Sequence, residues 1–149
     1  MNNIPNRSGF RGYVAARPFF GERAPQHIQN IVIRDHAKRF GLEYKLSAVE
    51  YAMPHCYMML DDVLGEIDRL QGIIVYSLFM LPEKSERRLA IYRRILGAGT
   101  QMHFAVEGMV LASEADIQPI EDIWALKQAV AEQPAPDAGL LLRHPDTAA

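Results

Sequence analysis

At 149 residues, with 49% apolar and 23% charged side chains, the chain suits one domain with a real core and is too apolar for general disorder. A net charge of −2 and a pI of about 6.2 argue against a nucleic-acid partner. The single cysteine, Cys56, excludes an internal disulfide, and no apolar run reaches the roughly 18–20 residues of a membrane span. Residues 1–9 are polar and unlike a signal peptide, so the expectation is a cytoplasmic protein with no membrane partner.

Residues 1–10 read as a flexible arm, and residues 133–149, with Pro134, Pro136, Gly139 and Pro145, as a flexible tail. The single domain between them, 11–132, alternates strand-like and helix-like segments. That predicts an α/β fold: three layers, a mainly parallel four-stranded sheet, and crossover helices on both faces. The first strand is predicted over 12–16. A helix follows over 25–40, with Ile28, Ile31, Val32 and Phe40 on one face and Gly41 as its stop. The second strand is 44–50. The second helix spans 54–70, with Tyr57, Leu60, Val63, Leu64 and Ile67 in a stripe. The third strand, 73–79, is nearly all apolar, as a central parallel strand should be. The third helix spans 82–96, with Leu89, Tyr92, Ile95 and Leu96 inward, and ends at Gly97 and Gly99. The fourth strand is 101–107. The last helix starts near Ser113, with Asp116 in its first turn, and reaches about 131. Its Ile120, Ile123, Trp124 and Leu126 spread over a wide arc. That arc predicts a second copy of the chain packed on it or on the third helix, giving a homo-oligomer.

Pro25, Pro54 and Pro82 each fall where a helix is predicted to open, and proline is favoured at that position. In a parallel sheet these helix starts share the edge where the strands end, which is the ligand edge of open α/β folds. Free N–H groups and helix dipoles there favour an anion. Arg17 and Arg23 are the candidate anion holders, with Gln26 beside them. Glu50 and Glu107 close the second and fourth strands and are the candidate general acid and base; the alternative is that each pairs with an arginine. Tyr51 and Ser77 are candidates to orient a sugar hydroxyl. His103 lies mid-strand and reads as a core histidine. His55 and Cys56 fall in the predicted first turn of the second helix, with no base placed beside the thiol. Arg87, Arg88, Arg93 and Arg94 read as a solvated face paired with Glu83 and Glu86, or as an interface. No zinc spacing, P-loop or dinucleotide fingerprint is present, so no metal or cofactor is expected.

Six blocks resemble the sporadic carbohydrate cluster proteins, a bacterial family encoded among surface-polysaccharide genes. They are Arg11-Gly12-Tyr13, Arg17-Pro18-Phe19, Gly21-Glu22-Arg23 with Pro25-Gln26, Ser47-Ala48-Val49-Glu50-Tyr51-Ala52-Met53, Tyr76-Ser77-Leu78-Phe79 and His103-Phe104-Ala105-Val106-Glu107-Gly108. The resemblance covers about residues 11–124. The resemblance implies a role in making an unusual surface sugar, as part of a lipopolysaccharide or a related polymer. It assigns no catalytic residue. The order of elements also resembles the serine recombinase (resolvase) catalytic domain, whose first strand carries a Tyr-x-Arg-x-Ser pattern. Here Tyr13 is followed by Val14, Ala15, Ala16 and Arg17, so the arginine and the nucleophilic serine of the pattern are both absent. The recombinase Asp-Arg pair after the third strand falls on Phe79 and Met80. The likeness therefore implies the fold and not recombination. The leading expectation is a small enzyme acting on an anionic sugar or nucleotide sugar. The alternatives are a non-catalytic binding or scaffold subunit of the same pathway, and a degenerate recombinase fold on DNA.

Overall fold

The computed structural model describes residues 7–132. The predicted tail, 133–149, and the first six residues of the predicted arm lie outside them. The rest of that arm belongs to the domain. The Ser8 N–H donates to the Arg69 carbonyl, and the Gln71 N–H to the Gly9 carbonyl. Phe10 is buried in the first strand.

The chain runs β1 (Phe10–Ala15), α1 (Gln26–Arg39), β2 (Tyr44–Glu50), α2 (Met58–Gly65), β3 (Gly72–Val75), α3 (Ser85–Gly97), β4 (Gln101–Phe104), β5 (Met109–Leu111) and α4 (Ile117–Glu132). Short 3₁₀ turns at Ile67–Arg69, Leu78–Met80 and Glu114–Asp116 sit between them. The sheet has five strands, not the four predicted, in the order β2-β1-β3-β4-β5. β1 pairs in parallel with both β2 and β3, and β3 with β4; only β5 is antiparallel. The predicted fourth strand, 101–107, stops at Phe104, and the chain turns through Gly108, whose φ of 64° suits glycine, into the unforeseen β5.

Strand alternation feeds two hydrophobic clusters. Tyr13, Ala15, Ile73, Val75, Met102 and Phe104 join residues of α2, α3 and α4, with Trp124 and Ile120 fully buried among them. Phe10, Val14 and Ile74 join Ile33 and Ala37 of α1. Much of the α4 arc read as a partner surface is thus spent within the chain. Leu126 and Val130 remain exposed. Sheet spacing is tight at Gly72, where a Cβ would lie 2.1 Å from the Gln101 carbonyl oxygen and 2.6 Å from the Phe10 ring. Gly41, at φ 65°, follows α1 as predicted. Ser113 and Asp116 form the predicted capping box.

Two helices start later than predicted. Pro25 does sit immediately before α1, but Pro54 and Pro82 lie in loops ahead of Met58 and Ser85. His55 and Cys56 are therefore not in the first turn of α2. Nor is the basic run of α3 paired as expected. Arg88 is buried and forks onto the Glu121 carboxylate of α4, with Nη2···Oε1 at 2.8 Å and Nε···Oε2 at 2.9 Å. Its guanidinium also lies 4.1 Å from the centre of the Trp124 ring.

Candidate functional site

Because β1, β2 and β3 are parallel, the loops that follow them meet at one edge of the sheet. They enclose a cleft of about 160 Å³. Arg17, Pro18, Phe19 and Phe20 come from the first loop. Ala52, Pro54, His55 and Tyr57 come from the second, and Phe79, Met80, Leu81 and Glu83 from the third. This is the edge the sequence pointed to. Of the seven predicted site residues, Arg17 alone lines this cleft.

Arg17 is held rather than loose. Its Nη1 donates to the Cys56 carbonyl at 2.5 Å and its Nη2 to that of Met80 at 3.4 Å. Its guanidinium lies 4.6 Å from the centre of the Tyr57 ring, and that of Arg87 lies 4.9 Å from the same ring. Two cations thus share one buried tyrosine. Burial raises the Tyr57 hydroxyl above its usual pKa, partly offset by these arginines.

Backbone strain gathers on the same cleft. Among the described residues two non-glycine residues have positive φ, Phe20 at 48° and His55 at 57°, and both line it. Phe20 and Gly21 form the tip of a tight turn closed by mutual Phe19 and Glu22 backbone bonds. Phe20 is held there by an edge contact with Phe79 and a tilted contact with Trp124, both with centroids 5.5 Å away.

Glu50 is 2% exposed, and its oxygens are committed within the protein. Oε1 accepts from the Tyr13 hydroxyl at 2.7 Å and the Leu60 N–H at 3.2 Å. Oε2 accepts from the Met59 N–H at 3.0 Å, the Tyr51 N–H at 3.1 Å and, more weakly, the Cys56 thiol at 3.7 Å. Burial alone would raise this carboxyl. The bonds from Met59, Tyr13, Leu60 and Tyr51 outweigh it and hold the group below its usual range. Glu50 thus caps α2 from a neighbouring strand, and the α2 amides that could have met a ligand are already occupied. Tyr51 contributes its backbone N–H, while its side chain is half exposed.

Glu107 is built differently. It lies in the β4–β5 turn and accepts from Ser77 Oγ at 2.8 Å and the Leu78 N–H at 2.9 Å. Burial raises its pKa, these bonds lower it, and the Glu22 carboxylate adds to the rise; the balance is upward. Ser77 is buried and spent on this carboxylate. Glu50 and Glu107 are held by separate sets of partners, Glu50 by Tyr13, Tyr51 and the start of α2, and Glu107 by Ser77 and Leu78 past the end of β3.

Arg23 is exposed, and Gln26 is partly exposed at the start of α1. The amide that matters structurally is one turn on. Gln29 is buried and brackets the end of β1, with its Nε2 donating to the Ala15 carbonyl at 2.6 Å and the Ala24 carbonyl at 2.8 Å. Its Oε1 accepts from the Ala15 N–H at 3.0 Å. The signal was present in sequence as a polar residue one turn before Ile33 on the buried face. His103 is a core histidine, as read: its Nδ1 meets His36 Nε2 at 2.8 Å and its Nε2 meets Gln101 Oε1 at 3.0 Å.

No protein-family model matches the sequence, and no curated protein matches it. The fold does have solved counterparts. A resolvase family site-specific recombinase from Streptococcus pneumoniae aligns with a TM-score of 0.58 at 9% identity, over 81% of this chain and 89% of that one. The N-terminal catalytic domain of TP901-1 integrase aligns with a TM-score of 0.58 at 12% identity, over 82% of this chain and 97% of that one. The chain therefore has a resolvase-like α/β fold. Among the described residues, no helix is long and apolar enough to cross a membrane, and no group of three or more His, Cys, Asp or Glu is arranged to hold a metal.

Proposed function

We propose that this chain binds an anionic sugar or nucleotide sugar in the cleft at the C-terminal edge of its sheet, in bacterial surface-polysaccharide biosynthesis. The observation that carries this reading is Arg17, fixed by two carbonyls and the Tyr57 ring in a cleft with aromatic walls. A preset guanidinium suits a phosphate or carboxylate, and aromatic faces suit the apolar face of a sugar ring. The pathway rests on the sequence blocks that resemble the sporadic carbohydrate cluster proteins. The same reading takes the architecture as three layers, supported by the division of strand residues between two clusters. It also takes the working form as a homo-oligomer, supported by exposed Leu126 and Val130 on α4.

Whether the ligand is turned over depends on the carboxyls. Glu50 favours the non-catalytic alternative, since it is saturated with donors and easily ionised. Glu107 favours chemistry, since burial raises its carboxyl above the usual range, the direction a general acid needs. The test is a calorimetric screen of hexose 1-phosphates, uronic acids and nucleotide sugars, paired with a product assay on Glu107→Gln and Glu50→Gln. Binding of at least one such ligand supports the cleft reading, and its absence across the set defeats it. Turnover lost in Glu107→Gln and kept in Glu50→Gln assigns the proton to Glu107. No turnover in the parent leaves a binding subunit. The broken Tyr-x-Arg-x-Ser pattern, with Ala15 and Arg17 at the arginine and serine positions, argues against recombination as the activity.

A further inference from the structure

Beyond the cleft a groove continues between α2 and α3. One part, of about 360 Å³, is lined by His55, Tyr57, Pro82, Glu83, Lys84 and Arg87. The next, of about 420 Å³, has a floor of Leu64, Ala90 and Ile91 and a rim that includes Asp61, Arg87 and Arg94. Tyr57 lines both parts and the cleft itself, so the three adjoin at its ring. Size and lining match a site for a ligand larger than a monosaccharide.

The cations are arranged along it. Arg17 and Arg87 both lie within 5 Å of the Tyr57 ring, which places their guanidinium carbons within roughly 10 Å of each other. Arg87 pairs with no carboxylate among the described residues. Arg94 follows two turns later on the same face of α3, about 10 Å along the axis, and donates to the Leu64 carbonyl at 3.2 Å. Two guanidiniums within this span suit two linked anionic groups. The apolar floor that follows asks for a flat, weakly polar group. A single phosphate meets only the first half of that pattern.

We propose that this groove takes the nucleoside diphosphate half of a nucleotide sugar. The diphosphate lies between Arg17 and Arg87 beside Tyr57, and the nucleoside lies on Leu64, Ala90 and Ile91 towards Arg94. The proposal rests on the cleft reading above, with the sugar on the Arg17 side. It adds a substrate class, a handle for it, and a role for the basic face of α3.

The test is calorimetry on the full chain with the common nucleoside 5′-diphosphates, their monophosphates and a hexose 1-phosphate. The variants are Arg87→Ala and Ala90→Trp, both at exposed positions of α3, so the fold is retained. At least one nucleoside diphosphate should bind ~10-fold or more tighter than its monophosphate. Arg87→Ala should weaken it by roughly 10- to 100-fold, the value of one charge-assisted contact. Ala90→Trp should block it by filling the floor without touching a charge. Hexose 1-phosphate should change by less than about two-fold in both variants. Diphosphates that bind no better than monophosphates, or that bind both variants as they bind the parent, overturn the proposal. In that case retained hexose 1-phosphate binding leaves the cleft reading standing, and loss of every ligand removes both.

Discussion

The carboxylate of Glu50 shows how a site-like residue can be a piece of framework. Its charge is balanced by one hydroxyl and three backbone N–H groups, two of them from the first turn of α2. Glu50→Gln replaces one acceptor with an amide that faces those donors. It should cost about 1–3 kcal/mol in urea unfolding. The charge also gives a pH signature. The folded carboxyl has a lower pKa than the free one, so the folded state holds fewer protons near pH 4. The stabilisation is full above the ordinary value of about 4.3 and is lost as pH falls through the folded value. A variant as stable as the parent at pH 7 would show that the cap contributes nothing.

The paired histidines act in a separate pH window. His103 Nε2 donates to Gln101 Oε1, which leaves its Nδ1 to accept from His36 Nε2; His36 Nδ1 is buried without a partner. A further proton has no acceptor there. Burial, then the neighbouring ring, pushes His103 down to about 4, and burial lowers His36 as well. The unfolded chain, titrating near 6.5, therefore binds protons first, so stability declines as pH falls from about 6.5 towards 4. Glu107 works in the opposite sense, because its folded pKa is raised. Thermal midpoints between pH 7 and 4.5 should fall progressively in the parent and stay nearly flat in the His36→Leu, His103→Leu double variant. An equal fall in both would place the proton uptake elsewhere.

At the scale of elements, α3 and α4 are joined by one buried ionic knot. Glu121 accepts from Arg88 and from the Tyr92 hydroxyl, and Arg88 also donates to the Pro82 and Glu83 carbonyls. Removing one partner strands the other charge. Arg88→Ala should cost about 3–5 kcal/mol in denaturant unfolding, far more than Arg93→Ala on the exposed face. Similar costs for the two would mean that Arg88 belongs to the solvated run read from sequence. Sequence could not separate the four arginines, because the partner of Arg88 lies 33 residues away. It failed at α2 and β3 for the same reason. Residues 51–57 form a loop because Glu50 caps α2 at Met59 and Leu60. β3 stops at Val75 because Ser77 and Leu78 turn towards Glu107. Where the signal is local, it was legible: β2 over Tyr44–Glu50, the stop at Gly41, and the box at Ser113 and Asp116. Three-residue β5 is too short to carry a period.

At the scale of the whole molecule, the parallel order of β1, β2 and β3 gathers three loops at one edge, and this was readable from the alternation of elements. Which side chains line that edge was not, since Tyr57 and Arg87 looked like core and solvated face. The same scale sets the expected assembly. Leu126 and Val130, 67% and 57% exposed, are the apolar remainder of α4. Light scattering at micromolar concentration should give a dimer or larger species, and Leu126→Asp should shift it towards monomer. A monomeric parent contradicts this.

On the proposed function, the edge of the sheet holds an anionic sugar through Arg17. The direct measurement is calorimetric titration of the parent and Arg17→Ala with the best-binding nucleotide sugar, on protein whose thermal melts show both to be folded. Arg17→Ala should lose roughly 10- to 100-fold in affinity, the worth of one charge-assisted contact. Equal affinity in the two proteins would contradict it.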